Sequence, residues 1–246
     1  MVITKQLLDD VYQNNFNFEK FINADPCGTV YKLIEHTDRQ LDIEIGALFV
    51  AMIAWGSRKV ICPTALNMLE NEMKWHPADF ILNGDFEHSY KNAKNNCVYR
   101  TLNVDTFKKV CRNVRNAIEG YNTMEEMIEG MPTKDAIGKI CEMLSDARVG
   151  TMDKSACKRV CMFVRWMTRD GQPDFNIWKS RDKADLYAVM DVHVCQLTSS
   201  ILPFKQPSWK ACEYLTSMFK EWDPIDPLKY DVALMTLADM PDSEQV

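Results

Sequence analysis

The sequence predicts an all-α fold, and three observations lead there. Apolar residues recur at three- and four-residue spacing, as in Leu7, Leu8, Val11 and Tyr12 or in Phe107, Val110, Val114 and Ile118. No segment sustains the apolar–polar alternation of a half-buried strand. Proline and glycine stand mostly at the joints between periodic stretches, where they end helices and favour turns. About ten helices follow from that pattern.

Taken in order, residues 3–22 read as one amphipathic helix, ended by Asp25-Pro26-Cys27-Gly28. A short helix is expected over 30–35. A strong apolar helix over 42–54 follows, with Asp42 as its expected N-cap. Trp55-Gly56-Ser57-Arg58 then closes that helix and caps the next, over 58–74. Residues 76–100 are polar and rich in asparagine, with a short helix expected near 77–82. Asp105 is the expected cap of a helix over 106–119, and helices over 123–129 and 133–144 come after it. A helix over 153–170, an irregular stretch over 171–185, and helices from 191, over 208–222 and over 229–239 complete the chain. Residues 240–246, ending in DSEQV, are expected to be a disordered tail.

Composition limits the function. A length of 246 residues suits one large domain or two small ones, and 46% hydrophobic with 26% charged residues is the profile of a soluble globular protein. The net charge of −6 excludes a uniformly basic nucleic-acid binder but leaves room for a local basic groove. Nine cysteines form no CxxC pair, so they read as reduced, buried thiols. The opening MVITKQLLDDVYQNNF lacks the apolar segment of a signal peptide, and the longest apolar run, 45–55, is too short to span a bilayer. A cytoplasmic protein without a membrane partner is the expectation.

The stretch 153–194 carries the chemistry. Read as one helix, DKSACKRVCMFVRWMTRD brings Lys154, Lys158, Arg165 and Arg169 within about 60° of one another. Val160, Phe163, Val164 and Met167 point mostly elsewhere, which leaves a basic stripe on an apolar body. Downstream, LYAVMDVHV sets Asp191 and His193 just after an apolar run. KRVCMFVRW followed by AVMDVHV resembles the helix-hairpin-helix DNA glycosylases, most closely the compact 8-oxoguanine DNA glycosylases typical of archaea. Lys158 stands at that family's lysine, Phe163-Val164-Arg165 at its aromatic-aliphatic-arginine step, and Asp191-Val192-His193 at its Asp-x-His element. The chain also resembles an uncharacterised family of bacterial proteins with the words AWG-R, SACKR, FLRWM and DPxDPxKYD, which stand here as AWGSR, SACKR, FVRWM and DPIDPLKYD.

The glycosylase resemblance implies a two-lobed all-α fold with a cleft between a lobe of roughly 60–190 and a lobe built from the two chain ends. It implies excision of a damaged base, an oxidised purine in the first instance, with possible lyase action on the abasic strand. Lys158 would be the nucleophile and Schiff-base former, Asp191 the charge stabiliser, and His193 a supporting residue. Such a lysine needs its amine deprotonated, by desolvation or by neighbouring positive charge. Lys154, Arg159, Arg165 and Arg169 would contact phosphates of a double-stranded, damaged DNA, and Trp55, Trp75, Tyr99, Trp166 and Trp178 are available for a base pocket. The protein is expected to act as a monomer without cofactor.

The chain departs from the resemblance in three places. Glycines that usually precede the lysine are replaced by Lys154 and Ala156, with Gly150 upstream. The interval from Lys158 to Asp191 is longer, with 170–184 read as an insertion. The Gln-rich step near the early helix pair is replaced by Trp55-Gly56-Ser57-Arg58.

Plainer readings stand beside each residue. Lys158 alone reads as a solvated helix-face lysine, Asp191 as an N-cap, His193 as a packing residue, and Lys229-Tyr230-Asp231 as capping or surface pairing. Cys157, Cys161, His193 and Cys195 lack the short-loop spacing of a zinc site, so no metal is expected. Two other functions remain open: a non-catalytic nucleic-acid-binding module on the same scaffold, and an enzyme acting on another small substrate. The glycosylase reading requires Lys158 and Asp191 to meet within several ångströms and to face an open cleft; a Lys158 buried in an unrelated salt bridge on a convex face would rule it out.

Overall fold

The computed structural model describes residues 2–240. Within them the chain is all-α, with thirteen α-helices and one short hairpin. The first helices are α1 (Lys5–Asn14), α2 (Phe18–Ala24), α3 (Cys27–Ile34), α4 (Gln40–Ile53), α5 (Arg58–Asn67) and α6 (Pro77–Leu82). The hairpin β1 (Cys97–Tyr99) and β2 (Leu102–Asn103) leads into α7 (Val104–Ala117), α8 (Met124–Met127) and α9 (Thr133–Met143). The last four are α10 (Lys158–Thr168), α11 (Val192–Leu197), α12 (Trp209–Trp222) and α13 (Lys229–Asp239).

Two compact units divide these elements. One runs from Ile22 to Val149. The other combines the residues up to Phe21 with those from Gly150 onward. The sequence bounds of 60–190 for the middle lobe therefore differ from the compact unit: α10 and the irregular stretch after it group with the chain ends. The expected tail, apart from Met240, lies outside the described residues.

The middle unit is built around α4, whose residues from Leu41 to Ile53 are all buried. A helix that is apolar all round has to be wrapped on every side, and α3, α5, α6 and α8 wrap it. The second unit closes on its two ends: α1 presents Leu8 and Val11 to α13, which buries Tyr230, Val232, Ala233, Leu234 and Leu237. Burying both faces removes apolar area from water at about 25 cal/mol per Å².

Several boundaries move for identifiable reasons. The expected helix over 3–22 breaks into α1 and α2, because Asn17 turns its side chain to the Lys20 N–H at 2.9 Å and starts a new helix. Asp42 lies inside α4 rather than capping it. Its Oδ1 accepts the Ala78 N–H at 2.7 Å, at the start of α6. Asn103, not Asp105, caps α7, accepting from the Thr106 N–H at 2.8 Å. The expected helix over 58–74 leaves α-geometry after Asn67 for a π-turn over Met68–Glu72.

Candidate functional site

The helix that carries Lys158 starts later than its sequence suggests. Gly150 has φ +92°, and a Cβ there would stand 2.1 Å from Ser155 Oγ. The turn it opens is closed by the Thr151 carbonyl, which accepts the N–H groups of Lys154 at 2.9 Å and Ser155 at 2.8 Å. Ser155 Oγ then accepts the Cys157 N–H at 3.1 Å. Cys157 takes a left-handed conformation, φ 50°, and α10 begins at Lys158.

Lys154 thus sits in the turn, exposed and 3.8 Å from Asp153, and not on the helix face. Gly150→Ala should cost about 1–3 kcal/mol, because it combines a left-handed backbone with a steric collision. Thermal unfolding reads it: Tm should drop by several degrees, and an unchanged Tm would mean that the turn tolerates a Cβ.

Asp191 arrives from a different direction. Residues 186–191 belong to no helix or strand, so side chains of other helices fix their backbone. Thr216 Oγ1 on α12 accepts the Ala188 N–H at 2.9 Å, and the Cys212 thiol donates to the Ala188 carbonyl at 3.1 Å. Asp231 Oδ2 on α13 accepts the Val189 N–H at 2.9 Å. Asp191 then caps α11, taking the Val194 N–H on Oδ1 at 3.0 Å.

This leaves Asp191 Oδ2 at 3.0 Å from Lys158 Nζ, with the two side chains 28% and 33% exposed. Residues 33 positions apart (191 − 158) have met, each with part of its side chain exposed. Burial pushes the Asp191 carboxyl up, but the Lys158 charge, the Val194 N–H and the His193 charge outweigh it and hold the group below the usual carboxylate range. His193 itself is exposed in the first turn of α11.

Arg165 and Arg169 are where the sequence reading fails. Both are fully buried, so neither is a phosphate contact. Arg165 Nε donates to Asp174 Oδ1 at 3.1 Å, and its Nη1 stands 3.7 Å from Asp231 Oδ2. Arg169 forks onto Asp226 through Nε and Nη2, both at 2.8 Å, and donates further to Asp174, Tyr12 and the carbonyls of Gly171 and Gln172. Burial works against the Arg169 charge, yet these acids raise its hold on the proton.

The stretch read as an insertion is therefore a strap across the end of α10. The N–H groups of Phe175 and Trp178 donate to the Trp166 and Met167 carbonyls, each at 2.8 Å, which satisfies carbonyls a helix end leaves open. Trp178 packs edge-on against Phe163 with ring centroids 5.4 Å apart. Of the four basic residues expected at DNA, Lys154 is exposed and Arg159 is half-buried.

A family model described as "Protein of unknown function (DUF2400)" matches residues 25–239, including the words AWGSR, SACKR, FVRWM and DPIDPLKYD in full. The chain belongs to the DUF2400 family. No curated protein and no solved structure matches it. The DUF2400 match spans both Lys158 and Asp191, and it also spans the buried arginines and their three acids. Two of these stretches find each other in space. Arg165 of FVRWM stands beside Asp231, the last residue of DPIDPLKYD, and Asp226 of that word takes the fork of Arg169 four residues further along the chain.

Other features stand apart from the pair. A cavity of about 620 Å³ in the middle unit is lined by Asn67, Glu72, His88, Tyr90 and Lys91, and one of about 420 Å³ by the strap residues Asn176, Lys179 and Lys183. Lys158 and Asp191 line neither. Trp166 and Trp178 are core residues, while Trp55 stacks under Arg100 at 4.2 Å and Trp75 on His36 at 4.1 Å. Asp231, Thr216 and Cys212 were missed by sequence reasoning as supports of the pair. The available signal was a carboxylate set inside an apolar helical run, Tyr230-Asp231-Val232-Ala233-Leu234.

Proposed function

We propose that the chain is a DNA glycosylase of the helix-hairpin-helix type, acting as a monomer on double-stranded DNA that carries a damaged base, an oxidised purine in the first instance. One observation carries the reading: Lys158 Nζ lies 3.0 Å from Asp191 Oδ2, with both groups partly open to solvent. A lysine that attacks carbon needs a nearby anion to stabilise the positive charge that builds on the sugar.

In the proposed reaction Nζ, once it has given its proton to water, forms a bond to the sugar's anomeric carbon. The N-glycosidic bond breaks with its electron pair on the departing base, which takes up a proton. Opening of the sugar ring leaves a Schiff base on Lys158, and loss of a proton from the neighbouring carbon expels the 3′ phosphate in the lyase step. The depressed carboxyl of Asp191 stays ionised at neutral pH, which favours charge stabilisation over proton shuttling. Lys154 and Arg159 are the basic residues assigned to phosphates; Arg165 and Arg169 are not.

Borohydride reduction tests this directly. The wild-type protein should become covalently trapped on a duplex with an oxidised purine. Lys158→Gln should reduce trapping by at least about 10³-fold and Asp191→Asn by about 10²–10³-fold, with circular dichroism unchanged. Absence of wild-type trapping on every lesion duplex and on an abasic site would overturn the reading. Burial of Arg165 and Arg169 favours a second reading, an enzyme that uses Lys158 on a small carbonyl compound, since it halves the basic surface expected for DNA. Trapping of a small aldehyde in place of DNA would select it. Salt-sensitive DNA binding with no trapping would leave a binding module.

A further inference from the structure

Asp231 touches both supports of the candidate pair without being part of it. Its Oδ2 accepts the Val189 N–H at 2.9 Å, two residues before Asp191, and the same oxygen stands 3.7 Å from Arg165 Nη1. Arg165 lies about two turns along α10 from Lys158. One carboxylate, 3% exposed, therefore bridges the helix that presents the lysine and the segment that presents the aspartate.

The segment needs such a support. Residues 186–191 belong to no helix or strand, so they lack a backbone ladder to fix their course. The Val189 N–H is buried and would be costly to leave unpaired. Thr216 and Cys212 hold Ala188 from α12, but Asp231 alone among these three also carries a charge that faces α10.

The site is an expensive place for a carboxylate. Asp231 Oδ1 and Arg165 Nη2 are buried without hydrogen-bond partners, and burial pushes the Asp231 carboxyl up to about 6 against the pull of Arg165. The Arg165 guanidinium 3.7 Å away pulls the other way, toward the ionised form.

We infer that Asp231 is a positioning residue for the Lys158–Asp191 pair: through the Val189 N–H it sets where Asp191 stands, and through Arg165 it ties that position to α10. This rests on reading the pair as the reacting groups.

The test uses the full chain, with the titration of the Asp191 carboxyl followed by ¹³C NMR, and borohydride trapping on lesion duplex measured in parallel. Asp231→Ala removes the acceptor for Val189. The Asp191 titration should then rise toward its ordinary value of 3.8, and trapping should slow by about ten- to a hundredfold, as expected when a reacting group moves by about 1 Å, with DNA affinity within about threefold of wild type. Asp231→Asn keeps an acceptor oxygen for Val189 but loses the charge facing Arg165, so it should raise the Asp191 titration by clearly less than Asp231→Ala does.

An unchanged Asp191 titration in Asp231→Ala would overturn the inference, as would Asp231→Asn raising it just as far. If Asp231→Ala does not fold, Thr216→Val removes the neighbouring acceptor for Ala188 and should raise the Asp191 titration in the same direction by less; no rise there would count against the inference. Failure of the wild type to trap would sink the glycosylase reading, and the titration would still decide whether Asp231 positions Asp191.

Discussion

Arg169→Leu should destabilise the protein by about 3–5 kcal/mol, the cost of leaving buried charges without their partner. Arg169 is fully buried and its donors are all engaged: two on Asp226 at 2.8 Å, and the rest on Asp174, Tyr12, Gly171 and Gln172. Leucine would leave the Asp226 carboxylate and one oxygen of Asp174 without the guanidinium they bind, and it would free the first carbonyls of the strap. Arg169→Lys should recover only part of the loss, because an ammonium cannot make the two parallel bonds of the fork. Urea unfolding measures both. The double replacement Arg169→Leu with Asp226→Leu should cost less than the two single changes added together, since neither charge is then left alone. A single-variant loss below about 1 kcal/mol would mean that water reaches the cluster and screens it.

That cluster also marks where the sequence stops being readable. The helices are legible because their period is local: α4, α7, α12 and α13 lie close to where apolar spacing puts them. A basic stripe drawn on a helical wheel is local as well, and it misleads for that reason. The wheel counts the charges of Arg165 and Arg169 but not their partners, and Asp226 is 57 residues beyond Arg169. Lys154 left the stripe because Gly150 and Ser155 fold the chain into a turn before α10 starts. The caps moved for a similar reason. Asp42, Asn103 and Asp105 are all competent caps, and loop geometry, which periodicity does not encode, decides which one meets an open N–H. The Lys158–Asp191 pair was legible from the order of its residues and the words around them, and not from spacing. Their separation is spanned by a strap whose path depends on the buried acids. Asp231 was out of reach because its role exists only once α10, α13 and the extended segment are together.

Glu44→Ala should cost about 3 kcal/mol, from the two hydrogen bonds it accepts from the backbone of α8 at about 1.5 kcal/mol or more each, and it also removes the acceptor of Gln40 Nε2 at 3.2 Å. Glu44 lies in the most apolar helix of the chain and is fully buried. Its Oε2 accepts the Met124 N–H at 2.7 Å and its Oε1 the Glu125 N–H at 3.0 Å, the first two donors of α8, while Thr123 Oγ1 takes the third, from Glu126, at 3.1 Å. A helix of a single turn has little internal bonding of its own, so this cap is most of what holds α8 in helical form. The carboxylate also faces the positive end of the helix.

Glu44→Gln keeps one acceptor oxygen and brings two donors toward other donors, so it should lose roughly half as much. Amide hydrogen exchange locates the effect: Met124 and Glu125 should lose protection in Glu44→Ala, with little change at α12 or α13. Unchanged exchange at those two amides would mean that the cap is dispensable. Asp42 does the same for α6 through the Ala78 N–H. Two acids can therefore sit on a helix that is otherwise apolar all round, because each ends at the open N-terminus of a neighbour and its charge is answered there.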